Sequence, residues 1–262
     1  MWTYPHTGFR VHQLPALKDN YIYLIEADNG ALLAAVDPAE AAPVVEACRA
    51  LGKPLTHILN THHHWDHTGA NLELKQQYGC TVVGSSDDAD RIPGIDVRVS
   101  ETEPPALPGI DVRVLTVDGH TVGHIAYLIG DALFCGDTLF GGGCGRVFEG
   151  TMPEMWQSLQ KLAALPAATK VYCAHEYTLA NLRFAREADG DNSALKQRIS
   201  RDTQTRMEQQ PTIPSSIGLE LATNPFLRAL DAGFCSGYAE KAGIAAEPLT
   251  VFTHLRESKD RW

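Results

Sequence analysis

Residues 58–71 read "ILNTHHHWDHTGAN" and place four histidines and an aspartate in the six positions 62–67, directly after an apolar, strand-like run. Imidazole and carboxylate are the side chains that hold Zn²⁺ and similar borderline metals, and a cluster this dense has few other uses. A purification tag would sit at a terminus and would not contain Trp65 and Asp66. The local pattern predicts that "THILNT" is a strand and that Thr68 or Asp66 caps a helix beginning near Gly69, which leaves the histidines in the intervening loop. In extended chain His62 and His64 point the same way, while Asp66 and His67 face a second position where the chain turns. A helical alternative pairs His64 with His67 at i, i+3. These ligands are too few for two metals, and other strand ends offer more: His120 in "VDGHTVGH", Asp137 in "FCGDTLF" and His175 in "YCAHEYT".

The bulk properties narrow the field. A chain of 262 residues can bury a substantial core without disulfides. Its six cysteines, Cys48, Cys80, Cys135, Cys144, Cys173 and Cys235, stand singly with no CxxC pair, which predicts reduced thiols and a cytoplasmic location. No basic-then-apolar leader and no apolar run of membrane-spanning length is present, so a soluble, unexported protein is expected. A net charge of −10 disfavours nucleic acid as partner and requires any anionic substrate to find a local basic pocket.

Along the first two thirds, short strands alternate with helices. Expected strands are "NYIYLIEA", "ALLAAVDP", "THILNT", "TVVGS", "IDVRVLTV", "HIAYLI", "ALFCGD" and "KVYCAH". Expected helices are "AEAAPVVEACRALG" and "GANLELKQQYG", closed by Gly52 and Gly79, and "TMPEMWQSLQKLAALP", opened by a capping-box spacing of Thr151 and Glu154. Beyond about residue 176 the pattern is helix and loop, with a polar helix after Asn192 ended by Pro211 and a last helix in "PLTVFTHLRESKD". That shift marks a domain boundary, giving units 1–175 and 176–262.

The motifs "THHHWDH", "GHTVGH", "GDTLF", "GCGRVFEGT", "AHEYT" and the terminal "RESKD" occur in this order from residue 61 to residue 260. Together they resemble those of glyoxalase II, the hydroxyacylglutathione hydrolase family of the metallo-β-lactamase superfamily. The HxHxDH element alone specifies only the superfamily. The resemblance implies an α/β fold, a four-layer αββα metallo-β-lactamase-like sandwich followed by a C-terminal helical domain. It implies two divalent metal ions, zinc first with iron or manganese as alternatives. His62, His64 and His120 would hold one, Asp66, His67 and His175 the other, and Asp137 would bridge both; spacing alone does not make this allocation. Asp66 and Asp137 are then the carboxylates at the reacting centre. His63 and His124 lie inside motifs at positions that are not ligands in the family, and His6, His12, His57 and His254 are isolated. Asp37 in "AVDP" is either a partner for a ligand histidine or an ordinary turn residue.

The family's substrate is S-D-lactoylglutathione, hydrolysed to D-lactate and glutathione. Family-like glutathione-binding positions are Arg146, Tyr177, Arg256 and Lys259. Arg146 and Phe148 stand where some relatives carry Lys and Tyr, and Phe148 forfeits a hydroxyl. A glutathione persulfide dioxygenase with a single iron is the nearest alternative enzyme; the long helical tail and "RESKD" favour the hydrolase. A structural zinc site would close at four ligands, whereas seven are on offer. A monomer with no membrane or nucleic-acid partner is expected.

Overall fold

The computed structural model describes residues 1–262, which fall into two compact units, Met1–Thr116 with Val122–Gly136 and Val117–Thr121 with Asp137–Trp262.

The first unit opens with a seven-stranded sheet whose strands lie side by side in chain order: β1 (Trp2–His6), β2 (Phe9–Ala16), β3 (Asn20–Ala27), β4 (Leu33–Val36), β5 (His57–Leu59), β6 (Thr81–Ser85) and β7 (Val97–Val99). The first four pair antiparallel, and β4 to β7 pair parallel. Parallel neighbours need crossovers, here α1 (Ala41–Leu51) between β4 and β5, and α2 (Trp65–Thr68) with α3 (Asn71–Tyr78) between β5 and β6. Leu24, Ala35, Ile58 and Val82 of this sheet pack with Val44 and Cys48 of α1 and Leu74 of α3 in one buried cluster. Gly52 and Gly79 close α1 and α3 in the left-handed region, each at φ 65°, as the sequence predicts. Strands β8 (Val112–Thr116), β9 (Ile125–Ile129) and β10 (Ala132–Gly136) form an antiparallel meander.

Strands β3 and β6 match their predicted segments end to end. Strands β1 and β2 were not anticipated: the N-terminal stretch carries Pro5 and Pro15, which read as strand breakers. Pro5 is tolerated because β1 is the sheet edge.

The second unit contains the two-stranded ribbon β11 (Leu139–Phe140) and β12 (Gly143–Cys144), then α4 (Met152–Ala163), β13 (Lys170–Cys173), α5 (Thr178–Ala188), α6 (Ser193–Met207), β14 (Ser215–Ser216), α7 (Ile217–Thr223), α8 (Pro225–Arg228), α9 (Ala232–Ala242) and α10 (Pro248–Arg261). The Thr151–Glu154 capping box opens α4 as expected. Helix α6 stops at Met207, before Pro211, where Gln209 turns at φ 58°.

A buried arginine ties these helices together. Arg198 is 1% exposed and donates to Asp202 Oδ2 at 3.2 Å, Glu220 Oε1 at 2.7 Å and Thr223 Oγ1 at 2.7 Å. Burial works against its charge, but the Glu220 and Asp202 carboxylates outweigh it and hold the guanidinium pKa above its ordinary value. The second oxygen of Glu220 accepts the Gly142 N–H at 2.8 Å, and Asn224 Nδ2 donates to the Gly143 carbonyl at 2.9 Å, so the ribbon hangs on the same network. Removing one partner of a buried ion pair leaves the other charge uncompensated. Arg198→Ala is therefore expected to cost about 3–5 kcal/mol of unfolding free energy. Urea unfolding monitored by circular dichroism measures it, and a loss under about 1 kcal/mol would contradict this role.

Candidate metal centre and adjoining cavity

Ligands at the carboxyl ends of parallel strands are a general feature of such sheets. Here β4 runs into Asp37, β5 into the histidine loop, and β6 into a turn of 3-10 helix, Ser86–Asp88. Asp37 is 4% exposed and adopts φ 49°. Its Oδ1 accepts the Thr61 N–H at 2.8 Å; its Oδ2 accepts the Thr61 hydroxyl at 2.7 Å and the His67 Nδ1–H at 3.0 Å. Asp37 is thus the partner of a histidine and not merely a turn residue.

The helix after the loop starts earlier than the sequence reading placed it. Helix α2 begins at Trp65 with His64 as its N-cap residue, and α3 begins only at Asn71. Thr68 does not cap: its hydroxyl donates back to the carbonyls of His63 and His64, which marks an interior helical residue. Asp66 and His67 therefore sit on the one-turn helix, with His67 Nε2 3.7 Å from Asp66 Oδ2, while His62, in a bend, and His64 precede it with Nε2 and Nδ1 3.0 Å apart. Thr61 Oγ1, having donated to Asp37, accepts from His62 Nδ1 at 3.0 Å. Asn60 supports the turn from beneath, donating to the His67 carbonyl at 3.0 Å and accepting from Asn71 at 2.7 Å.

The histidines expected to lie outside coordination have other partners. His63 Nδ1 is 3.0 Å from Asp88 Oδ2, whose other oxygen accepts from Arg91 Nε at 2.6 Å. Burial raises the Asp88 pKa against the pull of His63 and Arg91. His124 stacks on His62 at 4.5 Å. His6, His12 and His254 bond to Asp131, Glu26 and Tyr238, and His57 to Thr56.

In the second unit, Asp137 stands between two imidazoles. Its Oδ2 lies 3.4 Å from His120 Nε2, and its Oδ1 lies 3.4 Å from His175 Nε2. The far nitrogen of His120 donates to the Arg146 carbonyl at 2.8 Å, which fixes the tautomer with Nε2 unprotonated. The Tyr177 ring stacks on His175 at 4.6 Å and 3°.

A cavity of about 440 Å³ adjoins this carboxylate, and His120, Asp137, Arg146, Phe148, Tyr177, Arg256 and Lys259 all line it. The structure thereby brings together every side chain that the sequence reading named for substrate binding. Arg256 and Lys259 lie on α10 one turn apart. Arg256 is 2% exposed; Nη1 donates to the Cys144 carbonyl at 2.9 Å and Nη2 to Asp260 Oδ1 at 2.9 Å, while Nε is buried without an acceptor. Burial first, then the neighbouring Arg256 cation, lowers the Lys259 pKa to about 8. Phe140, Cys144 and Asn181 also line the cavity and were not anticipated.

The donor sets suit metal ions. A neutral N–H···O hydrogen bond is ordinarily 2.7–3.2 Å, whereas two ligands about 2.0–2.1 Å from one tetrahedral ion stand about 3.3 Å apart, close to the separations around Asp137. His67 and His120 each engage Nδ1 elsewhere, an arrangement that directs Nε2 toward coordination.

Comparison with known proteins agrees with this chemistry. The family described as "Metallo-beta-lactamase superfamily" matches residues 18–175, and that described as "Hydroxyacylglutathione hydrolase C-terminus" matches residues 176–262. A hydroxyacylglutathione hydrolase of Methylococcus capsulatus is 51% identical over 251 residues, covering 95% of this chain and 96% of that one. One from Rhodospirillum rubrum is 47% identical over 254 residues, covering 96% and 98%. Among solved structures, that of ETHE1 from Myxococcus xanthus superposes with a TM-score of 0.67 at 26% identity, covering 94% of this chain and 89% of that one. The fold is the metallo-β-lactamase fold that the motifs implied, with mixed sheets and a C-terminal helical region, and the chain carries the His/Asp clusters of a dinuclear site. On full-length identity and both family matches, the chain belongs to the hydroxyacylglutathione hydrolase, or glyoxalase II, family.

Proposed function

We propose that this protein hydrolyses S-D-lactoylglutathione to D-lactate and glutathione at two metal ions held by His62, His64, Asp66, His67, His120, Asp137 and His175. The observation that carries the reading is the Asp137 carboxylate, whose two oxygens each face the Nε2 of a different histidine at 3.4 Å beside a cationic cavity. In the assignment that family membership supports, His62, His64 and His120 would hold one ion, Asp66, His67 and His175 would hold the other, and Asp137 would serve both. Zinc fits the mixed nitrogen and oxygen donors, with iron and manganese as alternatives.

Bound there, such ions would supply a water of lowered pKa, toward about 7, and Lewis acidity for the thioester carbonyl. The chain's own residues do the rest. Asp37, Thr61 and the Arg146 carbonyl keep the ligand imidazoles in the metal-binding tautomer. Arg146, Arg256 and Lys259 line the cavity and receive the glutathione carboxylates. Tyr177 braces His175 from the cavity side. A leaving thiol of pKa about 8.5 departs as thiolate, so no general acid is required.

Residues 1–175 then form the catalytic part and 176–262 the substrate-binding part. A monomer is part of this proposal. No helix is long and apolar enough to cross a membrane, and the six cysteines are buried and free, consistent with a reducing cytoplasm.

Thiol release from S-D-lactoylglutathione without oxygen uptake tests the reaction class; oxygen consumption with glutathione persulfide would overturn it in favour of the dioxygenase. Asp137→Ala is expected to lose metal and kcat together, whereas His63→Ala keeps its metal complement because His63 is engaged by Asp88. Metal analysis of folded variants decides, and two ions retained in Asp137→Ala would refute bridging. Arg256→Ala should raise KM by about tenfold to a hundredfold with a smaller change in kcat. Lys259→Met should also raise KM yet stabilise the fold by about 1–2 kcal/mol at pH 7. The sign follows from the lowered pKa: the wild-type fold pays for the buried ammonium fully below about pH 8, and this penalty fades as pH rises toward the ordinary value of 10.5. Thermal denaturation between pH 7 and 10 measures the narrowing difference.

A further inference from the structure

The three cations lining the cavity differ in what compensates them. Arg256 donates to Asp260 Oδ1 at 2.9 Å, and Arg146 Nε lies 3.6 Å from the same oxygen. Lys259 has no carboxylate within ion-pair distance. Its ammonium donates to Asn181 Oδ1 and otherwise lies over the Phe184 and Phe226 rings, 6.0 and 5.7 Å from their centroids.

Asn181 is 3% exposed and lines the cavity on α5. Its Nδ2 donates to the Gly141 carbonyl at 3.0 Å, and a Cβ on Gly143 would come within 2.5 Å of that nitrogen. The glycine ribbon thus lets the amide close over it. One face of the amide is committed to the ribbon and the other to Lys259, which fixes its orientation.

We propose that Asn181 is a specificity-determining residue: its neutral amide oxygen seats the Lys259 ammonium without neutralising it, keeping a positive charge open for a carboxylate of the substrate's peptide part. The inference rests on the reading of this cavity as the glutathione site. An aspartate in the same place would form an internal ion pair and compete with the substrate for the ammonium. An alanine would leave the ammonium without its acceptor. The groups facing Lys259 are Arg256 and Asp260 on its own helix, Arg146 and Cys144 from the ribbon segment, and Asn181 from α5. Burial and Arg256 bring the Lys259 pKa to about 8, so the open charge disappears in mildly alkaline solution.

The test compares S-D-lactoylglutathione with S-lactoyl-N-acetylcysteamine, a thioester without the peptide carboxylates, on metal-loaded enzyme from about pH 6 to 9.5. For Asn181→Asp, the ratio of kcat/KM on the two thioesters is expected to fall at least about tenfold, chiefly through KM on the glutathione substrate. The alkaline decline of kcat/KM should move up by about one pH unit or more as the new carboxylate holds the proton on Lys259. Asn181→Ala should move that decline down and reduce the ratio less. A ratio within about threefold of wild type in Asn181→Asp, or an alkaline limb unmoved in both variants, would overturn the proposal. Should the aspartate, facing the Gly141 carbonyl, prevent folding, the alanine variant decides alone: its decline must move down. A wild-type enzyme with no preference for the glutathione thioester would sink the reading of the cavity instead, which separates the two failures.

Discussion

One buried carboxylate, Asp37, holds the histidine loop to the sheet. A run of imidazoles and a carboxylate facing one another has no reason to converge unless a scaffold imposes it before any cation arrives. Asp37 supplies that scaffold by accepting three donors, Thr61 N–H, the Thr61 hydroxyl and His67 Nδ1–H, from its place at the end of β4. It can reach them because β4 and β5 run parallel and adjacent, so their carboxyl ends open at the same edge of the sheet. The sheet order therefore comes first, the loop follows from it, and coordination follows from the loop.

The sequence disclosed those features in which local chemistry and final structure agree. Strand β3 is recognisable because "NYIYLIEA" is rich in β-branched and aromatic residues, which suits a strand buried at every position. The glycines ending α1 and α3, and the capping box on α4, are local devices that act within a few residues. Strands β1 and β2 were hidden because their stability comes from pairing with each other and with β3, while the prolines visible in the sequence argue the other way. Helix α2 was misplaced for a related reason. Thr68 is a good capping residue by type, but its hydroxyl found carbonyls one turn back.

The same division holds at the site. The candidate metal donors of residues 62–67 stood out by their density and His120, Asp137 and His175 by their place at strand ends, yet the allocation proposed for them came from the family and not from spacing. Asn181 was invisible for the opposite reason: an asparagine in a helix carries no signal of its own, and its meaning appears only when Lys259, 78 residues later, is found against it. Arg256 was legible as a candidate substrate cation but not as the residue that also holds the Cys144 carbonyl and so shapes the cavity wall.

Two buried cations show how partner chemistry separates structure from function in an acidic chain. Arg198 is enclosed by two carboxylates and two hydroxyl groups, and its charge is spent inside the fold. Lys259 is surrounded by an amide oxygen, two aromatic rings and a second cation, and the one carboxylate that faces it, Asp260, is bonded to Arg256, so its charge is not cancelled by a direct ion pair. A cation arranged in the first way rigidifies helices; one arranged in the second way costs stability and is retained only if something outside the protein completes it. The two are joined through Glu220, which bonds Arg198 with one oxygen and the Gly142 N–H with the other, so the satisfied cation sets the ribbon against which Asn181 packs. Fold stability thus positions the residue that keeps the cavity's positive charge available to the substrate.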